Sequence, residues 1–95
     1  MTVVVTVLIP TDALRAREIE IAHAAAHRTV LETARKHGML SHRRLYRDGE
    51  VLDIDEWESA DGRERFLAEA APYLQELREA RGSAPATSKV WQLEP

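Results

Sequence analysis

The sequence predicts an α+β domain of element order β-α-β-β-α-β, a four-stranded antiparallel sheet with two helices on one face. Three observations carry this. Val3 to Ile9 is almost wholly β-branched, as in a strand covered on both faces. Residues 42–57, HRRLYRDGEVLDIDEW, alternate about Asp48-Gly49 as a hairpin does. Each of these stretches is followed by a long segment whose apolar residues recur at helical spacing.

The elements follow in order. Pro10 ends the first strand. Asp12 can cap a helix running to Lys36, a span with neither Gly nor Pro. Ile19, Ala22, Ala26 and Val30 form its stripe, widened by Leu14, Ile21, Ala25 and Leu31. His37-Gly38 supplies the stop, with Gly in the left-handed position. Met39 to Arg47 and Glu50 to Glu58 are the hairpin strands, joined by a two-residue type I′ turn with positive φ at Asp48 and Gly49. Asp61, with Glu64 three residues on, opens a second helix. Phe66, Ala70, Tyr73, Leu74 and Leu77 form its apolar face, and Pro72 should kink or restart it near Ala71. Gly82 closes it, Ser83 to Ala86 form a loop, and Thr87 to Leu93 make the last strand. This is the ferredoxin-like split βαβ arrangement. It leaves one sheet face uncovered, and either Val4, Thr6 and Leu8 or Val3, Val5 and Val7 must lie on it. Both sets are too apolar for water, so a homodimer packed sheet on sheet is expected.

Bulk composition narrows the function. Residues 1–95 form one domain. A net charge of −3 offers no basic surface for a polyanion, so nucleic acid is disfavoured as a partner. There is no cysteine, hence no disulfide or thiolate chemistry. The longest apolar run, Val3 to Pro10, is too short to span a bilayer and lacks the flanks of a signal peptide. The expectation is a cytoplasmic protein with no membrane partner.

The hairpin is unusually polar for a small domain. If Arg47 faces Glu50 across the turn, then Tyr46 opposes Val51, Arg44 opposes Asp53, His42 opposes Asp55 and Leu40 opposes Trp57, all on one face. Directly opposed opposite charges favour that register. His42 beside Asp55 is the arrangement of a general base, because the carboxylate fixes the tautomer and raises basicity. Arg44 could hold a developing enolate or phenolate oxygen. The competing reading is structural: cross-strand ion pairs at a dimer interface or a solvated edge. His23 and His27, in HAAAH, share one face of a regular helix. A metal needs at least a third ligand, so no metal is expected there; one of the two could instead line a pocket.

The strand, helix and Gly38, then RLYRDGEVLDIDEWES and a helix containing Phe66, resemble the antibiotic biosynthesis monooxygenase domain, a dimeric α+β barrel family. The resemblance rests on an acidic residue two before a Trp followed by Glu-Ser, here Asp55, Trp57, Glu58 and Ser59. It implies a barrel built by two copies and, for many members, cofactor-free oxygenation of aromatic polyketides or quinols. Related barrels cyclise polyketides, and one branch degrades haem. The haem-degrading branch uses an Asn, a Trp on the second helix and a His; this chain has no Asn, and Phe66 and Glu76 at those helix positions. Of the aromatic-oxygenase pocket, Trp57 and Tyr73 carry over. The resulting expectation is a cofactor-independent enzyme acting on a small aromatic or polyketide-like molecule. His42 and Asp55 would be catalytic. Arg44, Tyr46, Asp53, Trp57, Tyr73, His23 and His27 would be around the substrate, with no metal and no cofactor. The alternatives are a cyclase or isomerase using the same proton transfer, or a non-catalytic binding or regulatory dimer.

Overall fold

A computed structural model describes residues 1–82 and 84–95; the expected loop residue Ser83 lies outside the described residues. The order is β1 (Val3–Ile9), α1 (Ala13–Ala22), α2 (Ala24–Lys36), β2 (Met39–Arg47), β3 (Glu50–Trp57), α3 (Ala60–Arg81) and β4 (Thr87–Gln92). The strands form one sheet in the order β2-β3-β1-β4, each neighbouring pair antiparallel. This is the ferredoxin-like fold, with three helical segments where two helices were expected.

β1 sits at the centre because its β-branched residues tolerate burial best. Val3, Val5 and Ile9 are buried beneath the helices. They join Ala34, Trp57, Phe66 and Ala70 at one end of the core, and Ala16 and Val51 at the other. Trp57 and Phe66 meet with ring centroids 5.1 Å apart and planes tilted by 43°. On the opposite sheet face the described residues provide no cover. Leu8, Leu45 and Trp91 are 39%, 53% and 52% exposed there.

The long first helix is broken at His23, whose backbone leaves the helical region at φ −115° and ψ 43°. No Gly or Pro demands this, so the break is a tertiary effect. His23 is drawn to α3, where its Nδ1 lies 2.9 Å from Glu76 Oε2. The break changes the stripe: Ala16 and Ile19 are buried before it, and Ala26, Thr33 and Ala34 after it. Leu14, Ala22, Ala25 and Ile21 are exposed, against expectation.

The hairpin register is the expected one at Arg47↔Glu50, Tyr46↔Val51, Arg44↔Asp53 and His42↔Asp55. Two details differ. Only Gly49 in the turn has positive φ, at 81°, so the signs are those of a type II turn and not type I′. A bulge between Met39 and Ser41 places Met39, not Leu40, opposite Trp57. Met39 then packs on the core and Leu40 is left half exposed.

Ser59, not Asp61, caps α3, its Oγ accepting from Gly62 N at 3.0 Å. α3 runs unbroken through Pro72. The Ala68 carbonyl that loses its donor is on the exposed side, as is Pro72, so water can satisfy it. Tyr73 beside it is 39% exposed rather than part of the apolar face. Among the described residues no helix is long and apolar enough to cross a membrane.

Candidate active site between sheet and helices

A cavity of about 380 Å³ lies between the sheet and the helices, in the range of small-molecule sites. Its walls have two characters. Trp57, Phe66, Val5 and Leu74 make one part apolar, while His42, Arg44, Asp53, Asp55, Glu20 and His27 bring charge to the other. The period-2 pleat explains how β3 serves both. Val51, Asp53, Asp55 and Trp57 all face the helices, and the outer residues are completely buried.

The polar hairpin residues are therefore on the covered side of the sheet. His42 Nδ1 and Asp55 Oδ1 are 2.5 Å apart across the strands. With Asp55 ionised, the Nδ1 proton is directed at the carboxylate, which leaves Nε2 as the basic atom. The hydrogen bond to Asp55 raises the His42 pKa above its ordinary 6.5, against the opposing effect of burial; the charges of Asp55 and Asp53 add to the rise and Arg44 subtracts.

Arg44 is held more firmly. Its Nε and Nη2 donate side-on to the buried Asp53 carboxylate at 2.6 and 3.0 Å. Its Nη1 donates to both Glu20 oxygens, the second at 3.2 Å. Glu20 comes from α1 and lies 3.5 Å from His27 Nε2 on α2. Asp53, Arg44, Glu20 and His27 thus tie together β3, β2, α1 and α2. Hydrogen bonds to Asp53 are the chief reason the guanidinium is pushed above its ordinary pKa. Trp57 adds a further polar feature. Its Nε1 is buried without a hydrogen-bond partner among the described residues.

Several expected site residues are elsewhere. Tyr46 shares the strand face of His42 but is 75% exposed, because it sits near the turn, beyond the helices' cover. Tyr73 on α3 is exposed, and His23 is engaged with Glu76. None of the three lines the cavity, whereas His27 does. His23 and His27 remain one turn apart, His27 N donating to His23 O at 3.0 Å, but each is engaged by a carboxylate of a different helix, Glu76 of α3 and Glu20 of α1. Among the described residues no three His, Asp or Glu side chains are grouped to hold a metal ion.

Glu20, Arg78 and Arg81 also line the cavity and were not singled out from the sequence. A signal existed. Glu20 is seven residues before His27, and Arg78 and Arg81 continue the Phe66, Ala70, Leu74, Leu77 stripe by helical steps.

No protein-family model matches the sequence, and no curated protein matches it. Solved structures do resemble the chain. A monooxygenase from Streptomyces coelicolor, ActVA-Orf6 in complex with Nanaomycin D, is 23% identical with a TM-score of 0.69, over 98% of this chain and 88% of that one. SnoaB, a cofactor-independent oxygenase from Streptomyces nogalater, is 19% identical with a TM-score of 0.63, over 99% and 92%. A Caulobacter crescentus protein assigned as an antibiotic biosynthesis monooxygenase is 13% identical with a TM-score of 0.68, over 99% and 91%. Along nearly its whole length, then, this chain has the fold of the antibiotic biosynthesis monooxygenase structures.

Proposed function

We propose that this protein is a cofactor-independent oxygenase acting on an electron-rich, acidic small molecule such as a phenol, a hydroxyanthrone or a 1,3-diketone. The observation that carries the reading is the His42–Asp55 pair in the wall of a cavity, 2.5 Å apart and next to a firmly held arginine. The fold shared with named oxygenases supports it.

In this reading the substrate ring lies at the apolar end and an acidic C–H faces His42. Nε2 removes the proton, and Asp55 stabilises the imidazolium that results. Arg44 faces the oxygen on which the enolate charge collects. The carbanion passes electrons to O₂ and the two combine; with the proton returned, the carbon carries a hydroperoxide. Loss of water leaves a carbonyl, so one oxygen atom is in the product and the other in water.

The uncovered sheet face extends the proposal. Leu8, Leu45 and Trp91 form an apolar surface on the side away from the cavity. A second copy of the chain, laid face to face, is the cover proposed for it.

His42→Ala tests the reading on a hydroxyanthrone in an oxygen electrode. A positioned base contributes about 10²–10⁴, so turnover should fall by that factor. Product formed without oxygen uptake would point to the cyclase or isomerase chemistry instead. Unchanged turnover in a destabilised His42→Ala protein would end the catalytic reading.

A further inference from the structure

The chain is acidic overall, at −3, yet its cavity is not. Four arginines line it, Arg44, Arg63, Arg78 and Arg81, against the three carboxylates of Glu20, Asp53 and Asp55. Those carboxylates are already engaged. Arg44 bridges Asp53 and Glu20, and His42 takes Asp55. Among the described residues no carboxylate pairs with Arg78. Arg81, one turn on, is half-buried, and burial followed by the charges of Arg78 and Arg44 holds its guanidinium below the ordinary pKa. The guanidiniums of Arg78 and Arg44 thus both bear on that of Arg81, and all three line the cavity. Basic residues in a last helical turn can simply offset the helix dipole. Both, Arg78 exposed and Arg81 half-buried, nevertheless line the cavity.

β3 gives the cavity a scale. Asp53, Asp55 and Trp57 are successive residues on one face, roughly 7 Å apart per step. Arg44 is level with Asp53, His42 with Asp55, and the Trp57–Phe66 ring pair marks the far end.

We infer that the cavity takes an aromatic carboxylic acid whose carboxylate is bound by Arg78 and Arg81, with its rings extending past His42 towards Trp57 and Phe66. This rests on the reading of the cavity as a small-molecule site. It adds the charge of the ligand and its direction.

Equilibrium binding tests this without any turnover. The probes are 2-naphthoate and its neutral isostere 2-naphthamide, titrated into ¹⁵N-labelled protein and followed at both indole N–H signals. Naphthoate should bind at least about tenfold tighter than naphthamide and move the Trp57 signal more than that of Trp91. Arg78→Gln with Arg81→Gln should abolish the preference and leave naphthamide binding unchanged. The Lys substitutions should retain most of it, and Arg17→Gln, outside the cavity, all of it. Melting temperatures confirm that each variant is folded. Equal affinities, failure of naphthoate to bind at millimolar concentration, an unmoved Trp57 signal or a preference that survives the double Gln variant would each overturn the inference. His42→Ala should keep the preference, so a protein that selects naphthoate but oxidises nothing would retain this site and lose the catalytic proposal.

Discussion

Gly62 is where the helix layer is tightest, and Gly62→Ala gives a prediction with a magnitude. A Cβ at this position would lie 2.3 Å from the His37 carbonyl oxygen and 3.2 Å from Ser59 Oγ. The first contact is backbone, so no rotamer change relieves it. Restoring an ordinary carbon–oxygen distance needs the end of α2 and the start of α3 to separate by roughly 1 Å. Overpacking of this kind costs about 1–3 kcal/mol, and a clash with a backbone carbonyl belongs at the upper end. Replacing Gly by Ala inside a helix returns about 0.5–1 kcal/mol. The net loss is about 1–2 kcal/mol, which for a chain of this size lowers Tm by about 4–16 °C. The measurement is thermal unfolding by circular dichroism, with urea denaturation to confirm that the slope is unchanged. The consequence reaches the site, because this contact sets how α3 brings Phe66 onto Trp57. A Tm equal to or above that of the parent would refute the close approach of α2 and α3.

Four further outcomes follow. Asp55→Asn removes the main cause of the raised His42 pKa, so the acid limb of the pH–rate profile should move to lower pH; a limb that stays in place would separate Asp55 from the titrating base. The same shift has a stability sign. A group with a raised folded pKa contributes fully below its unfolded value near 6.5 and loses that contribution as pH rises through the folded value. The stability difference between parent and His42→Gln should thus be larger at pH 6 than at pH 9 by urea denaturation, and a difference that grows with pH would contradict the pair. Glu20→Gln keeps shape but removes the charge facing Arg44, and should cost about 1 kcal/mol after allowance for the partial exposure of the pair; an unchanged urea midpoint would show that the bridge contributes nothing. Sedimentation at low micromolar concentration should give twice the chain mass, and Leu45→Glu should halve it; a monomeric parent would remove the sheet-on-sheet proposal.

The strands and the hairpin register from Arg47↔Glu50 to His42↔Asp55 were legible in the residues alone. These follow from short-range causes: a two-residue turn fixes the partner, and the period of two assigns each side chain to a face. The same causes set His42 opposite Asp55 and Arg44 opposite Asp53. Long-range packing settled the rest. It bulged Leu40 out of register so that Met39 could pack on the core, and it broke the first helix at His23 without a Gly or Pro to announce it. It left Tyr46 and Tyr73 outside the cavity and brought in Glu20, Arg78 and Arg81. The physical reason is one of range. A strand's neighbours are set by the backbone hydrogen-bond ladder, which the local sequence encodes. What a helix presents to the sheet depends on where its axis lies and how far it is rotated. Those are fixed by summed packing against residues far along the chain, and a small change in rotation exchanges which side chains meet the cavity.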